Sequence, residues 1–83
     1  MNRKKLLRRL VQGALHNVAF DDLLDLAKGF GFAVVRVSGS HHILAHPDIP
    51  ELVNVQKVGG QAKPYQIRQL LRLVERYNLT LEK

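Results

Sequence analysis

Two adjacent histidines, His41 and His42, directly follow a Ser38-Gly39-Ser40 turn, and a third, His46, lies a short apolar run further on. An imidazole has an ordinary pKa of about 6.5, so it can take or give a proton near neutrality with little help from its surroundings. That suits general acid-base work. Metal ligation by His41, His42 and His46 is the rival chemistry, and strand geometry opposes it. Neighbours on a strand point to opposite faces, and residues four apart are separated by roughly 13 Å, too far to chelate one ion. The carboxylates Asp21, Asp22 and Asp25 match the positive end of a helix, and no histidine at i+3 or i+4 joins them. No acid is placed to orient a histidine behind Ser40, so a serine-hydrolase arrangement is lacking. The chain has no cysteine, which removes thiolate ligands and fits a reducing compartment. A structural His42 that caps its turn by hydrogen bonds stays open on the residues alone.

Three strands are expected to hold these histidines: 32–38, 41–46 and 52–56, with Pro47, Asp48 and Pro50 breaking the chain between the last two. Gly39 supplies the positive φ that a tight hairpin needs. The strand alternation allows two registers. With Val35, Val37, Ile43, Val53 and Val55 inward, one polar face carries Arg36, His42, His46, Asn54 and Gln56; this is the expected register. The opposite one buries His42 beside Leu44 and exposes Ile43. On the expected face His42 can take a proton from a ribose 2′-OH while Arg36, Lys57 or Lys63 stabilises phosphate charge.

Helices flank the strands. Residues 2–16 space Leu6, Leu7, Leu10, Val11 and Leu15 helically, with Arg3, Lys4, Lys5, Arg8 and Arg9 elsewhere on the wheel. This basic amphipathic helix packs on the domain, or else meets phosphates or a membrane surface. A second helix, 20–28, buries Phe20, Leu23, Leu24 and Ala27 and ends at Gly29 and Gly31. A third starts at Pro64 and runs to Tyr77, with Ile67, Leu70, Leu71 and Val74 inward and Arg68, Arg72 and Arg76 in an i, i+4, i+8 row. Gly59, Gly60 and Lys63 before it form a candidate phosphate cradle without the P-loop spacing.

Length bounds the rest. The 83 residues make one domain with a modest core, and 46% apolar content is globular rather than disordered. The apolar runs are short of a membrane span and no secretory leader is evident, so a cytoplasmic location is expected. Thirteen Lys and Arg against seven Asp and Glu give +6, a balance that favours a polyanion or an acidic partner.

The stretches Gly29-Phe30-Gly31-Phe32, Val37-Ser38-Gly39-Ser40-His41-His42-Ile43, His46-Pro47, Leu52-Val53-Asn54-Val55-Gln56 and Ala62-Lys63-Pro64-Tyr65-Gln66-Ile67-Arg68-Gln69-Leu70 together resemble the HicA-type toxins of bacterial toxin-antitoxin modules. The similarity runs from about Val18 to Leu79 in the same order. It implies an α+β, double-stranded-RNA-binding-like fold, a three-stranded antiparallel sheet packed by helices on one face, here with an extra N-terminal basic helix at 1–16 ahead of a core at 18–79. It also implies an mRNA interferase partnered by a HicB-type antitoxin that covers the active site; proton transfer by an imidazole beside cations needs no metal or cofactor. The histidine of Gly-Ser-x-His is the catalytic one in that family, and it falls on His42. His41 takes the x position. Arg36, Ser40, His41, Lys57, Lys63 and Arg68 are the candidate RNA contacts. Two departures are the helix at 2–16, outside the compact family pattern, and the glycine loop at 59–60. Two other readings keep the same charge: a non-catalytic RNA-binding module, and an interaction protein for an acidic partner.

Overall fold

A computed structural model describes residues 2–81; Glu82 and Lys83 of the expected tail, like Met1, lie outside them. The elements are α1 (Arg3–Val11), α2 (Phe20–Gly29), β1 (Ala33–Ser38), β2 (His41–His46), β3 (Ile49–Val58), β4 (Gln61–Ala62) and α3 (Pro64–Arg76). The strands form one antiparallel meander in the order β1-β2-β3-β4. The α+β architecture expected from the sequence is therefore present, and it gains a short fourth strand.

β4 exists because Gly59 (φ 57°) and Gly60 (φ 77°) supply the two consecutive positive φ values of a type I′ hairpin. The pair turns β3 back on itself, with Val58 opposite Gln61 and Lys57 opposite Ala62. The cradle expected of these glycines is thereby overturned, since they close a hairpin and do not lead into α3. The same loop anchors the start of α2, where the Phe20 N–H donates to the Gly60 carbonyl at 2.9 Å and the Ala62 N–H to that of Val18 at 2.9 Å.

α1 is shorter than its periodicity suggests. Asn2 caps its start, accepting from the Lys4 and Lys5 N–H groups at 2.8 and 3.3 Å, and Gly13 leaves helical space at φ 92°. Leu6 and Leu10, 1% and 2% exposed, belong to the same buried cluster as Phe20, Leu23, Leu26, Val53, Val55, Ile67 and Leu70. The basic helix thus contributes to the core as well as to the surface.

Arg3 fastens α1 to α2 through a two-pronged contact with Asp25, Nε to Oδ2 and Nη2 to Oδ1, each 2.9 Å. Those hydrogen bonds hold the Asp25 carboxyl below its usual range and raise the Arg3 guanidinium. A carboxylate whose folded pKa is lowered adds stability that is complete above its unfolded pKa of about 3.9 and disappears as pH falls through the folded value. Asp25→Asn is accordingly expected to flatten the decline of Tm between about pH 5 and pH 2 and to change Tm little in high salt at neutral pH, because the pair is exposed and screened. Thermal melts of both proteins across that range check it.

The register corrects the expected sheet face. Leu44 lies opposite Val34 and Val53, and His42 opposite Val37 and Val55, so His42, Leu44 and His46 turn toward the helices. Arg36, Ile43 and Asn54 share the other face, and His41 and Gln56 lie opposite one another there. The polar face expected to unite Arg36, His42, His46, Asn54 and Gln56 is thus split between the two sides. Period-two alternation is the reason: once Leu44 goes inward, its neighbours two residues away must follow. A register shift between Val34 and Arg36 further breaks the phase of β1: Val35 is the extra residue and stands 59% exposed, while Val37 shares the side of His42 and is 55% exposed on the outer strand. A second shift, between Leu44 and His46, lets β3 begin at Ile49 and absorb Pro50 where the ladder is irregular.

His46 is structural. Its Nε2 donates to the Phe30 carbonyl at 2.9 Å and its Nδ1 accepts from the Asp48 N–H at 3.1 Å, which fixes one neutral tautomer and satisfies both nitrogens. Gly31, at φ 98°, makes room: a Cβ there would stand 2.7 Å from Nε2. Gly31→Ala therefore combines backbone strain with loss of a buried hydrogen bond, and a destabilisation of about 2–4 kcal/mol in urea unfolding is expected.

Candidate active site

The β1-β2 hairpin turns on Gly39 and Ser40, with Gly39 at φ 58° in the first central position, as a type II′ turn requires. His42 follows on the helix-facing side of β2, half-buried, with its ring tilted at 58° against that of Phe20 and the centroids 4.7 Å apart. Its Nδ1 lies 3.4 Å from the Ser40 carbonyl oxygen. That oxygen only accepts, so the contact favours the tautomer with the proton on Nδ1 and the lone pair on Nε2. Nε2 has no hydrogen-bond partner among the described residues and is not one of their buried unpartnered atoms, so it meets solvent. The ring is therefore wedged by an aromatic on one side and open at one nitrogen.

The frame around it is tied. The Ser40 carbonyl also accepts from the Lys57 N–H at 2.9 Å, and the Ser40 hydroxyl accepts from Gln56 Nε2 at 3.3 Å. β4 is too short to satisfy the Gln56 N–H, and Gln66, buried on the first turn of α3, substitutes its side-chain carbonyl at 2.8 Å. Gln66 Nε2 reaches the Tyr65 hydroxyl at 3.4 Å, and the Lys63 ammonium lies 5.9 Å from the Tyr65 ring centroid. Pro64 at N1 sets the direction of this turn.

The candidate residues fall into four places. Lys57 lies two residues beyond Val55, the cross-strand partner of His42, so strand alternation puts it diagonally beside the imidazole, about 7–8 Å away backbone to backbone. Ser40 is the turn residue that fixes the ring, while Lys63 precedes α3 and Arg68 is exposed one turn into it. Arg36 and His41 face the opposite side of the sheet, where His41 Nδ1 donates to Asn54 Oδ1 at 3.1 Å. These two do not share a face with His42. Among the described residues no group of three His, Cys, Asp or Glu is placed to hold a metal ion, and no helix is long and apolar enough to cross a membrane.

Two neighbours escape sequence reasoning. Phe20 lies 22 positions before His42, and nothing local announces their contact. Gln66 leaves a trace, an amide within the buried stripe of Ile67, Leu70 and Leu73.

The family model described as the HicA toxin of bacterial toxin-antitoxin matches residues 20–75, more than half of the chain. The match spans α2, the four strands and nearly all of α3, and excludes α1. No curated protein and no solved structure matches the chain.

Proposed function

The chain belongs to the HicA toxin family of bacterial toxin-antitoxin modules, and from that membership we propose that it is a metal-independent endoribonuclease that cuts mRNA in the cytoplasm, with His42 as its general base. The observation that carries the reading is the state of that ring, with Nδ1 turned to the Ser40 carbonyl and Nε2 left to solvent. Nε2 takes the proton of a ribose 2′-OH, the 2′-oxygen forms a bond to the adjacent phosphorus, and the bond from phosphorus to the 5′-oxygen breaks. The product is a 2′,3′-cyclic phosphate, and the departing oxygen is protonated by the imidazolium or by water. Lys57, on the same side of the sheet, and Lys63 hold the phosphate. Arg36 and His41, facing away, do not touch the same phosphate. A HicB-type antitoxin covers His42 in the inhibited complex.

One histidine serving both proton transfers makes slow turnover, and contacts to shape and 2′-OH groups make loose sequence preference. Cleavage by the purified protein is expected to continue in EDTA and to leave 2′,3′-cyclic phosphate ends. Loss of activity on chelation, or 5′-phosphate products, would remove this chemistry. A second reading, a non-catalytic RNA-binding module, draws on the contact between His42 and Phe20, which also suits a ring that merely fills space. Intact RNA after prolonged incubation, with salt-sensitive binding retained, would favour it.

A further inference from the structure

Residues of α1 and α3 line an open groove of about 380 Å³, formed by Leu7, Leu10, Val11, Leu71, Val74 and Glu75. Its two walls repeat one pattern. On α1, Lys4, Leu7, Arg8 and Val11 stand at i, i+3, i+4 and i+7; on α3, Arg68, Leu71, Arg72 and Glu75 do the same. Such residues form a single row along a helix. Each helix therefore sets a groove-lining leucine between two exposed cations that stand at the rim, outside the lining, whose one charged residue is Glu75; these four cations make no ion pair among the described residues. Val11, 71% exposed, is the most exposed large aliphatic side chain described.

From this charge and shape we propose that the groove receives a helical segment of a partner protein, apolar along one stripe and acidic on both sides of it. Helical form follows from the walls. Both are helices whose main-chain groups are satisfied internally, so an extended segment would bury unpaired N–H and C=O groups, whereas a helix brings its own bonds. A nucleic acid fits less well, because its phosphates would lose water against Leu7, Val11 and Leu71, whereas a helix can lay an apolar stripe there and keep its carboxylates at the rim. A bilayer fits less well again, since the apolar surface is concave and carries no aromatic side chain. The groove occupies the second half of α3, between one and three turns beyond the first-turn residue Gln66 that braces the His42 hairpin, so the two surfaces are separate.

The inference does not depend on RNA cleavage, and its test is independent of it. The probe is a labelled peptide of about 16 residues, long enough to hold a helix, with leucines at i, i+3, i+4 and i+7 and glutamate and alanine elsewhere. The full chain is expected to bind it at least about tenfold more tightly than a scrambled peptide of the same composition. Val11→Glu and Arg72→Glu each reduce that affinity about tenfold or more, while Val35→Glu, the same charge change at an exposed valine of the sheet, leaves it within about twofold. Equal binding of the scrambled peptide, or indifference to Val11→Glu, overturns the proposal. So does a double-stranded RNA probe whose affinity falls at Val11→Glu and Arg72→Glu more than at Val35→Glu, which would assign the groove to nucleic acid.

Discussion

His42→Ala is expected to lower RNA cleavage by on the order of 10²–10⁴, the range of a lost general base, while RNA binding changes only a few-fold. Growth arrest on expression should disappear with it. The ring touches Phe20, so a second variant, His42→Gln, guards against a folding artefact by keeping a polar side chain of similar reach. Both should show the far-UV spectrum of the parent and the same salt slope of RNA affinity, because Lys57 and Lys63, the lysines proposed to hold the phosphate, are untouched. A His42→Gln protein that cleaves at the parental rate would take the imidazole out of the mechanism. The comparison with His41 is a further control: His41→Ala should leave the rate within a few-fold, since that ring lies on the opposite face, tied to Asn54.

The largest effect on stability is expected at Phe20. The side chain is 1% exposed, opens α2 and forms the surface on which His42 rests. Truncation to Ala removes a full aromatic from the core and leaves a cavity, a loss of about 3–5 kcal/mol, which is a large share of what a domain of this size possesses. Urea unfolding should show it as a drop in midpoint with little change in slope. Phe20→Leu should retain most of the stability and still lose activity, because the imidazole no longer has a flat face to set its angle. A Leu variant with full activity would show that the aromatic contact is packing alone.

Elements were far more legible in the sequence than the direction of their side chains. The helices around Leu6, Leu23 and Leu70 follow directly from apolar spacing, and the strands from β-branched runs between glycines. The face of the sheet was not readable, because β2 alternates apolar and polar only weakly: Ile43 and Leu44 are both aliphatic, and either can head the inner row. The choice between them was settled by partners distant in sequence, Val53 and Phe20, and by the register shift at Val35, which no pattern of period two can contain. His42 stands out by its turn and by family resemblance, but its ring lies against Phe20 and beside Val55 and not on a polar face. The loop glycines were similarly ambiguous. Gly59 and Gly60 fit a phosphate loop and a hairpin equally on composition, and only the two-residue strand beyond them decides the matter.

Among the described residues the outer strand β1 pairs with a strand on one side only, which leaves the main-chain donors and acceptors of its other edge without a ladder beside valines at 34, 35 and 37. Such a rim is a template on which further copies of a protein can assemble into fibrils. The extra residue at Val35 bends that rim, and the guanidinium of Arg36 sits in its middle, so a second chain cannot lie flat along it. A toxin released from its antitoxin can then remain dispersed, and deletion of Val35, which would straighten the edge, should instead yield a protein that precipitates as it accumulates.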